Sequence, residues 1–341
     1  MDAMGSAHPD PDVLVAIVTT ALLDLHAVSG TVSRIAAGTE TDNFAVHADD
    51  GRRLFAKVYR DHNALDEDRA AIALSQFAAA GGVPVPTAHR SRSGDVIGTS
   101  HGVSLSLWDL VADARTAEDG IRGERWVHVG RTLGMLHRRL AEHPAADPQR
   151  RPASGVADVV RARGRYDRLI EEHRGRAARD ADAAWALEAM TTRRSLLPRI
   201  VEVLASLPPM TVQVLHGDLA APNLLMCGDE VAAVIDFQPP APHYLEWEIA
   251  RIGCDPRTVL EVGDWPEGLA RLRSAYLEEH HPPSMPSLRS IIAAGCAFTM
   301  ASAYPLAALL EEQVHDSALR EYGRQRHEAA LRLLDALDDL P

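Results

Sequence analysis

With 341 residues, 46% of them apolar and 24% charged, the chain is long enough for one large or two moderate domains and has the composition of a globular protein. Its formal net charge of −13 argues against sequence-independent nucleic-acid binding, which rests on basic surface, and leans toward cationic small molecules as partners. Three widely spaced cysteines, Cys227, Cys254 and Cys296, form no C-x-x-C pair, so neither a disulfide framework nor a zinc site is indicated and a reducing cytoplasm fits best.

The apolar run from Val13 to Leu25 follows Asp2, Asp10 and Asp12, where a signal peptide needs basic residues, and it is too short to span a bilayer. The expectation is an amphipathic helix over about 11–25 that packs on the first domain. Three strands follow, Thr31 to Ala37, Asn43 to His47 and Arg53 to Tyr59, separated by turn residues at Gly38 to Asp42 and Ala48 to Gly51, as in an antiparallel meander. Helical spacing of Leu65, Ala70, Ile72, Ala73 and Phe77 predicts a helix over Asn63 to Ala80, stopped by Gly81-Gly82. Val83-Pro84-Val85-Pro86 forces extended backbone, and a hairpin-like pair, Thr87 to Ser91 and His101 to Leu107, completes a small sheet-plus-helix unit.

From Trp108 the periodicity turns helical, with candidates at Gly123 to Glu142, Val156 to Arg174, Ala181 to Ser206, Leu245 to Ile252, Gly268 to His280, Leu288 to Leu310 and Ser317 to Leu337. Strands are expected only at Val212 to Leu215, Leu224 to Cys227 and Val231 to Ile235, and His143 to Ser154 reads as a solvated connector. The fold class is therefore α+β, with an N-terminal β-rich lobe over 1–107 and a mostly helical lobe over 108–341.

Lys57 is the only lysine, against 34 arginines among 35 cationic residues. A compact ammonium suits a narrow site that needs one positive point between phosphate oxygens, where a planar guanidinium does not fit. The most specific stretch lies further on, in Gln213-Val-Leu-His216-Gly217-Asp218-Leu-Ala-Ala-Pro-Asn223, followed by a Gly228-Asp229 turn and Val231-Ala-Ala-Val-Ile235-Asp236-Phe237. Asp218 and Asn223 stand five apart across a loop, and the hairpin returns Asp236 beside them. Magnesium takes hard oxygen ligands and leaves other positions to water and phosphate, a task that suits Asn223 and Asp236. Asp218 is left to orient or deprotonate an attacking hydroxyl.

His216-x-Asp218-x-x-x-x-Asn223 resembles the kinase catalytic loop H-x-D-x-x-x-x-N, with Gly217 where protein kinases carry arginine, and Ile235-Asp236-Phe237 looks like the metal-binding Asp motif. On these residues the chain resembles the aminoglycoside phosphotransferase and choline kinase superfamily, a branch of the protein-kinase-like fold, from about residue 28 to the last helices. The resemblance implies a bilobal fold with a small antiparallel-sheet lobe and a large helical lobe. It also implies Asp218 as catalytic base or substrate-orienting acid, magnesium on Asn223 and Asp236, and His216 as a support of the loop. Lys57 falls on the third strand, where the family's lysine contacts the nucleotide phosphates. Glu67, in the acidic first turn Asp66-Glu67-Asp68, is the expected partner of Lys57, although an acidic turn is also what a helix dipole favours. The loop over 37–43 replaces a glycine-rich phosphate loop and holds one glycine; Gly38, Thr39, Thr41 and the backbone amides are candidate phosphate contacts, or the loop is a plain turn. Trp108, in Leu107-Trp108-Asp109-Leu110, falls at the adenine-contacting hinge. Glu248 stands where the family has a buried Asp and is expected to brace the catalytic loop. Tyr244, Glu246, Trp247, Asp264 and Trp265 are candidates for lining the acceptor site.

The expected activity is a cytoplasmic, ATP- or GTP-dependent transfer of phosphate to a hydroxyl of a small molecule. An antibiotic of aminoglycoside, nucleoside or peptide type comes first as acceptor, and a metabolite such as homoserine, choline or a sugar second. The expected partners are nucleotide, Mg2+ and acceptor, with no nucleic acid and no membrane, for a monomer or homodimer. A non-catalytic pseudokinase and a metal-dependent hydrolase are the readings from other classes.

Overall fold

Strand burial alternates with the period of two that a half-buried sheet requires, and this alternation decides which way the lone lysine faces. A computed structural model describes residues 10–36, 41–175, 180–311 and 317–340. The chain divides into two compact units, one made of Met1–Ala114 and Ala232–Pro239, the other of Arg115–Val231 and Pro240–Pro341.

The first unit runs α1 (Pro11–His26), β1 (Gly30–Ile35), β2 (Thr41–Ala48), β3 (Arg53–Tyr59), α2 (Leu65–Ala79), β4 (Ala88–His89), β5 (Gly98–Ser100) and β6 (Val103–Asp109). Its sheet has the order β1-β2-β3-β6-β4, with β5 also on β6, and every pairing is antiparallel. On β3, Leu54, Ala56 and Val58 point into a core shared with Phe44, Val46, Leu105 and Leu107. Leu14, Val18, Ala21 and Leu22 of α1 cover that face, as expected for the amphipathic N-terminal helix. Lys57, of opposite parity, emerges on the other face between Asn43 of β2 and Ser106 of β6. There Tyr59 packs with Ile72 of α2 and with Ile97. The Val234 amide donates to the Pro84 carbonyl at 2.8 Å, which ties the 232–239 segment to this unit.

The second unit comprises β7 (Arg115–Thr116), α3 (Arg125–Ala141), β8 (Gln149–Arg151), α4 (Val159–His173), α5 (Ala181–Ser206), β9 (Met210–Val214), β10 (Leu224–Cys227) and the start of β11 (Glu230–Val234). It continues with β12 (Pro242–Tyr244), α6 (Leu245–Gly253), α7 (Pro256–Glu261), α8 (Trp265–Glu279), α9 (Leu288–Ala301), α10 (Leu306–Leu310) and α11 (Ser317–Ala336). Helices α3 and α8 meet almost backbone to backbone. A Cβ on Gly130 would lie 2.3 Å from the Leu272 carbonyl oxygen, and one on Gly134 would lie 2.7 Å from that of Tyr276.

Two expectations are corrected here. The connector over 143–154 contains β8, which pairs antiparallel with β9 in a sheet β12-β9-β8; its three residues carry too little hydrophobic alternation to be read as a strand. The predicted helix Leu288 to Leu310 is two helices. Arg193, with no exposed surface, donates to the Thr299 and Ser302 carbonyls, and the Tyr166 hydroxyl donates to those of Met300 and Ser302, so the end of α9 is capped from the core before Pro305. The span Leu288–Leu310 is apolar enough to cross a membrane by length and composition, and 67% of its window is buried inside the protein.

Candidate active site

Within the first unit, Lys57 Nζ donates to Asp236 Oδ1 at 2.6 Å, joining two residues that are 179 positions apart in the chain. Asp236 follows β11 with φ 63°, a left-handed conformation that aspartate tolerates better than most residues. The Asp236 side chain is 52% exposed and that of Lys57 24%, so the pair sits in screened surroundings and is readily exchanged for other partners. Glu67 lies exposed on the first turn of α2 and, among the described residues, makes no ion pair, so Lys57 meets Asp236 and not Glu67. Gly38 and Thr39 lie outside the described residues. Thr41 is the first residue of β2, its hydroxyl donating to Asn43 Oδ1 at 3.2 Å. Trp108 sits next to last on β6, half-buried, with Nε1 donating to Ser106 Oγ at 2.8 Å.

The catalytic-loop motif belongs to the second unit. It leaves β9, and Gly217 takes φ 90°, the left-handed conformation that glycine adopts without strain. That turn aims two successive amides at one carboxylate: the His216 N–H donates to Glu248 Oε2 at 3.1 Å and the Gly217 N–H to Glu248 Oε1 at 2.8 Å. Glu248 is wholly buried on α6, and His137 of α3 donates Nε2 to its Oε2 at 3.0 Å. Tyr276 of α8 lies 3.2 Å from the other ring nitrogen of His137. Burial alone would raise the Glu248 carboxyl, but the hydrogen bond and charge of His137, the charge of His216 and the Gly217 amide outweigh it and hold the group below its ordinary range. Glu248 therefore braces the loop from beneath, as expected of the residue in that position.

Asp218 stands on the braced loop, with its amide donating to His216 Nδ1 at 3.2 Å. Its Oδ1 receives Arg251 Nη2 at 2.5 Å, while Asn223 Nδ2 donates to its main-chain oxygen at 2.9 Å and faces its Oδ2 at 3.4 Å. The Asn223 amide nitrogen is thus turned to Asp218, and Oδ1 accepts no hydrogen bond among the described residues. Asp236 in the first unit keeps a half-exposed carboxylate. An amide oxygen and a carboxylate are each the kind of hard donor that magnesium takes. Among the described residues no group of three or more His, Cys, Asp or Glu assembles, so side chains of those types alone form no metal cage.

Of the acceptor candidates, Trp247 is half-buried on α6, whereas Trp265 is buried and Asp264 is exposed at the start of α8. The Tyr244 hydroxyl donates to the Pro152 carbonyl. Glu246 is 1% exposed, its Oε2 has no hydrogen-bond partner, and burial pushes its carboxyl up to about 8. Sequence reasoning passed over Arg251 and His137. Arg251 lies three residues after Glu248 and four after Trp247 on one helix, a spacing that places all three on neighbouring faces and was available as a signal. His137 reaches Glu248 across 111 residues and carries no local signal.

The chain is 27% identical over 219 residues to a homoserine kinase of Methylobacterium nodulans, a match that spans 64% of this chain and 62% of that kinase's length. Among solved structures it is similar to a spectinomycin phosphotransferase in complex with ADP and spectinomycin, with TM-score 0.66 and 12% identity, covering 98% of this chain and 100% of that one. It is also similar to an amicoumacin kinase in complex with AMP-PNP and Ca2+, with TM-score 0.58 and 14% identity, covering 94% and 93%. At such identities these likenesses are of fold, the bilobal protein-kinase-like fold. The model of the phosphotransferase enzyme family matches residues 31–291, so the chain belongs to that family.

Proposed function

We propose that the protein transfers the γ-phosphate of ATP or GTP to a hydroxyl of a small molecule, with Asp218 as the group that receives the hydroxyl. The observation that carries this reading is the placement of Asp218 on a loop whose two preceding amides are fixed by buried Glu248. The acceptor oxygen forms a bond to the γ-phosphorus, and the bond from that phosphorus to the β,γ-bridging oxygen breaks. The hydroxyl proton passes to the Asp218 carboxylate, and nucleoside diphosphate leaves. Lys57, freed from Asp236, balances phosphate charge. Asn223 and Asp236 would hold magnesium, which when bound supplies positive charge to the phosphates. A rigid loop is what positioning catalysis needs, since the gain comes from presenting the hydroxyl in line.

Two acceptor classes remain in this proposal. An antibiotic acceptor, with resistance as the outcome, is the expectation from composition; a metabolite acceptor is favoured by the likeness to a homoserine kinase. Expression in a susceptible host, with Lys57→Ala as control, separates them: protection lost in the control supports the antibiotic, and protection that survives it is not due to transfer. Calorimetry with ATP or GTP and magnesium tests the common ground, and absence of nucleotide binding would overturn both.

A further inference from the structure

The whole chain is acidic, yet within the second unit Asp218 is met by a cation, Arg251. Arg251 donates Nη2 to Asp218 Oδ1 at 2.5 Å and Nε to the Leu219 carbonyl at 3.0 Å. Its guanidinium carbon lies 5.2 Å from the Trp247 ring centroid and 5.6 Å from that of Phe298. A second guanidinium, that of Arg326 on α11, lies 5.4 Å from the same Phe298 ring and 5.8 Å from Tyr304, with Nη1 donating to the Tyr304 carbonyl at 2.8 Å. Trp247 and Phe298 meet edge to face at 5.6 Å, so the two arginines share one aromatic wall.

Arg326 is only 7% exposed, and no carboxylate among the described residues pairs with it. Burial pulls its pKa down to about 10, and the neighbouring charges of Arg193 and Arg251 act in the same direction. A buried cation with no counter-charge is costly, and the cost is relieved when an anion arrives. Arg251 has a counter-charge, but that carboxylate is the group the transfer requires.

We propose that the acceptor carries a carboxylate, which docks on Arg251 and Arg326 against the Trp247, Phe298 and Tyr304 wall and, by taking over Arg251 Nη2, frees Asp218 Oδ1 for the acceptor hydroxyl. The proposal rests on the phosphotransferase reading of Asp218. It makes Arg251 a positioning residue that couples recognition of the acceptor to release of the carboxylate. It also sets the local charge against the whole-chain preference for cations: a polyamine acceptor would meet two guanidinium groups, whereas a hydroxy acid meets its complement.

The test titrates the protein, by calorimetry and by tryptophan fluorescence, with hydroxy acids of three to six carbons including L-homoserine, with their neutral amides, and with kanamycin. The expected result is saturable binding of at least one acid, about 10- to 100-fold weaker binding of its amide, and a similar loss in Arg251→Gln and Arg326→Gln. Arg251→Lys and Arg326→Lys, which keep the charge and spare the fold, should retain part of the affinity, and Trp247→Phe should remove the fluorescence response but not the heat. No binding by any acid, equal binding of acid and amide, preference for kanamycin, or wild-type affinity in the folded arginine variants would each overturn the proposal. Nucleotide affinity measured on the same preparations reports on the phosphotransferase reading separately.

Discussion

The Asp236 and Asp218 carboxylates are both half-exposed and each meets one cation, but the two units support them differently. In the first, Asp236 follows a strand and pairs with the Lys57 ammonium. In the second, Asp218 rides on a loop whose amides, through Glu248 and His137, are fastened to α3 and α6 in a fully buried network. A surface ion pair is worth little and exchanges easily, whereas breaking a buried one leaves an uncompensated charge. On the proposed phosphotransfer, Lys57 and Asp236 would part to meet phosphate and cation, which suits an easily exchanged pair, while Asp218 would orient the hydroxyl from a fixed loop.

The sharpest way to break this contrast is at Asp218. Asp218→Asn should lower single-turnover transfer by at least about 10³-fold with nucleotide affinity unchanged, and near-normal turnover would remove Asp218 from the chemistry. Next comes the brace. Glu248→Ala should cost about 3–5 kcal/mol in chemical denaturation, against less than about 1 kcal/mol for Asp236→Ala. Equal losses would erase the distinction between the two units. Lys57→Arg keeps the charge and should leave stability within about 0.5 kcal/mol while slowing turnover about 10- to 100-fold; undiminished turnover would mean that a guanidinium serves as well there.

The last effect is set by pH. Glu246 is raised from 4.5 to about 8 by burial, so the folded protein holds a proton that the unfolded chain gives up above about 4.5. The stability it contributes is fully present below pH 4.5 and is lost as pH rises through about 8. Glu246→Gln should flatten that fall, with a gain on the order of 3 kcal/mol at pH 8 and little change at pH 5. Glu248 works in the other direction: its carboxyl is held below the ordinary value, so its contribution is present above about pH 4.5 and fades on acidification below that. Denaturation midpoints measured from pH 3 to 9 separate the two.

Much of this was readable along the chain. Lys57 on β3 follows from a period-two pattern, and the meeting of Asn223 with Asp218 follows from their spacing on one loop, because local geometry fixes both. Lys57 meets Asp236 and not the expected Glu67, and that choice depends on a contact across 179 residues and not on the local acidic turn. The same holds for His137, whose reach to Glu248 depends on helix packing that no local pattern encodes. β8 and the break after Ala301 escaped for a different reason: a three-residue strand has almost no periodicity, and the capping groups of α9, Arg193 and Tyr166, come from distant helices.

The ion pair at Lys57 also makes the protein a convenient reporter of its own occupancy. Because the chain has one lysine, an amine-selective acylating reagent has a single side-chain target, Lys57, apart from the terminal amine. A protease that cuts only after lysine releases two pieces until that residue is acylated. The fraction of uncut chain then reports, residue-specifically and without an acceptor, whether an added nucleotide shields that ammonium.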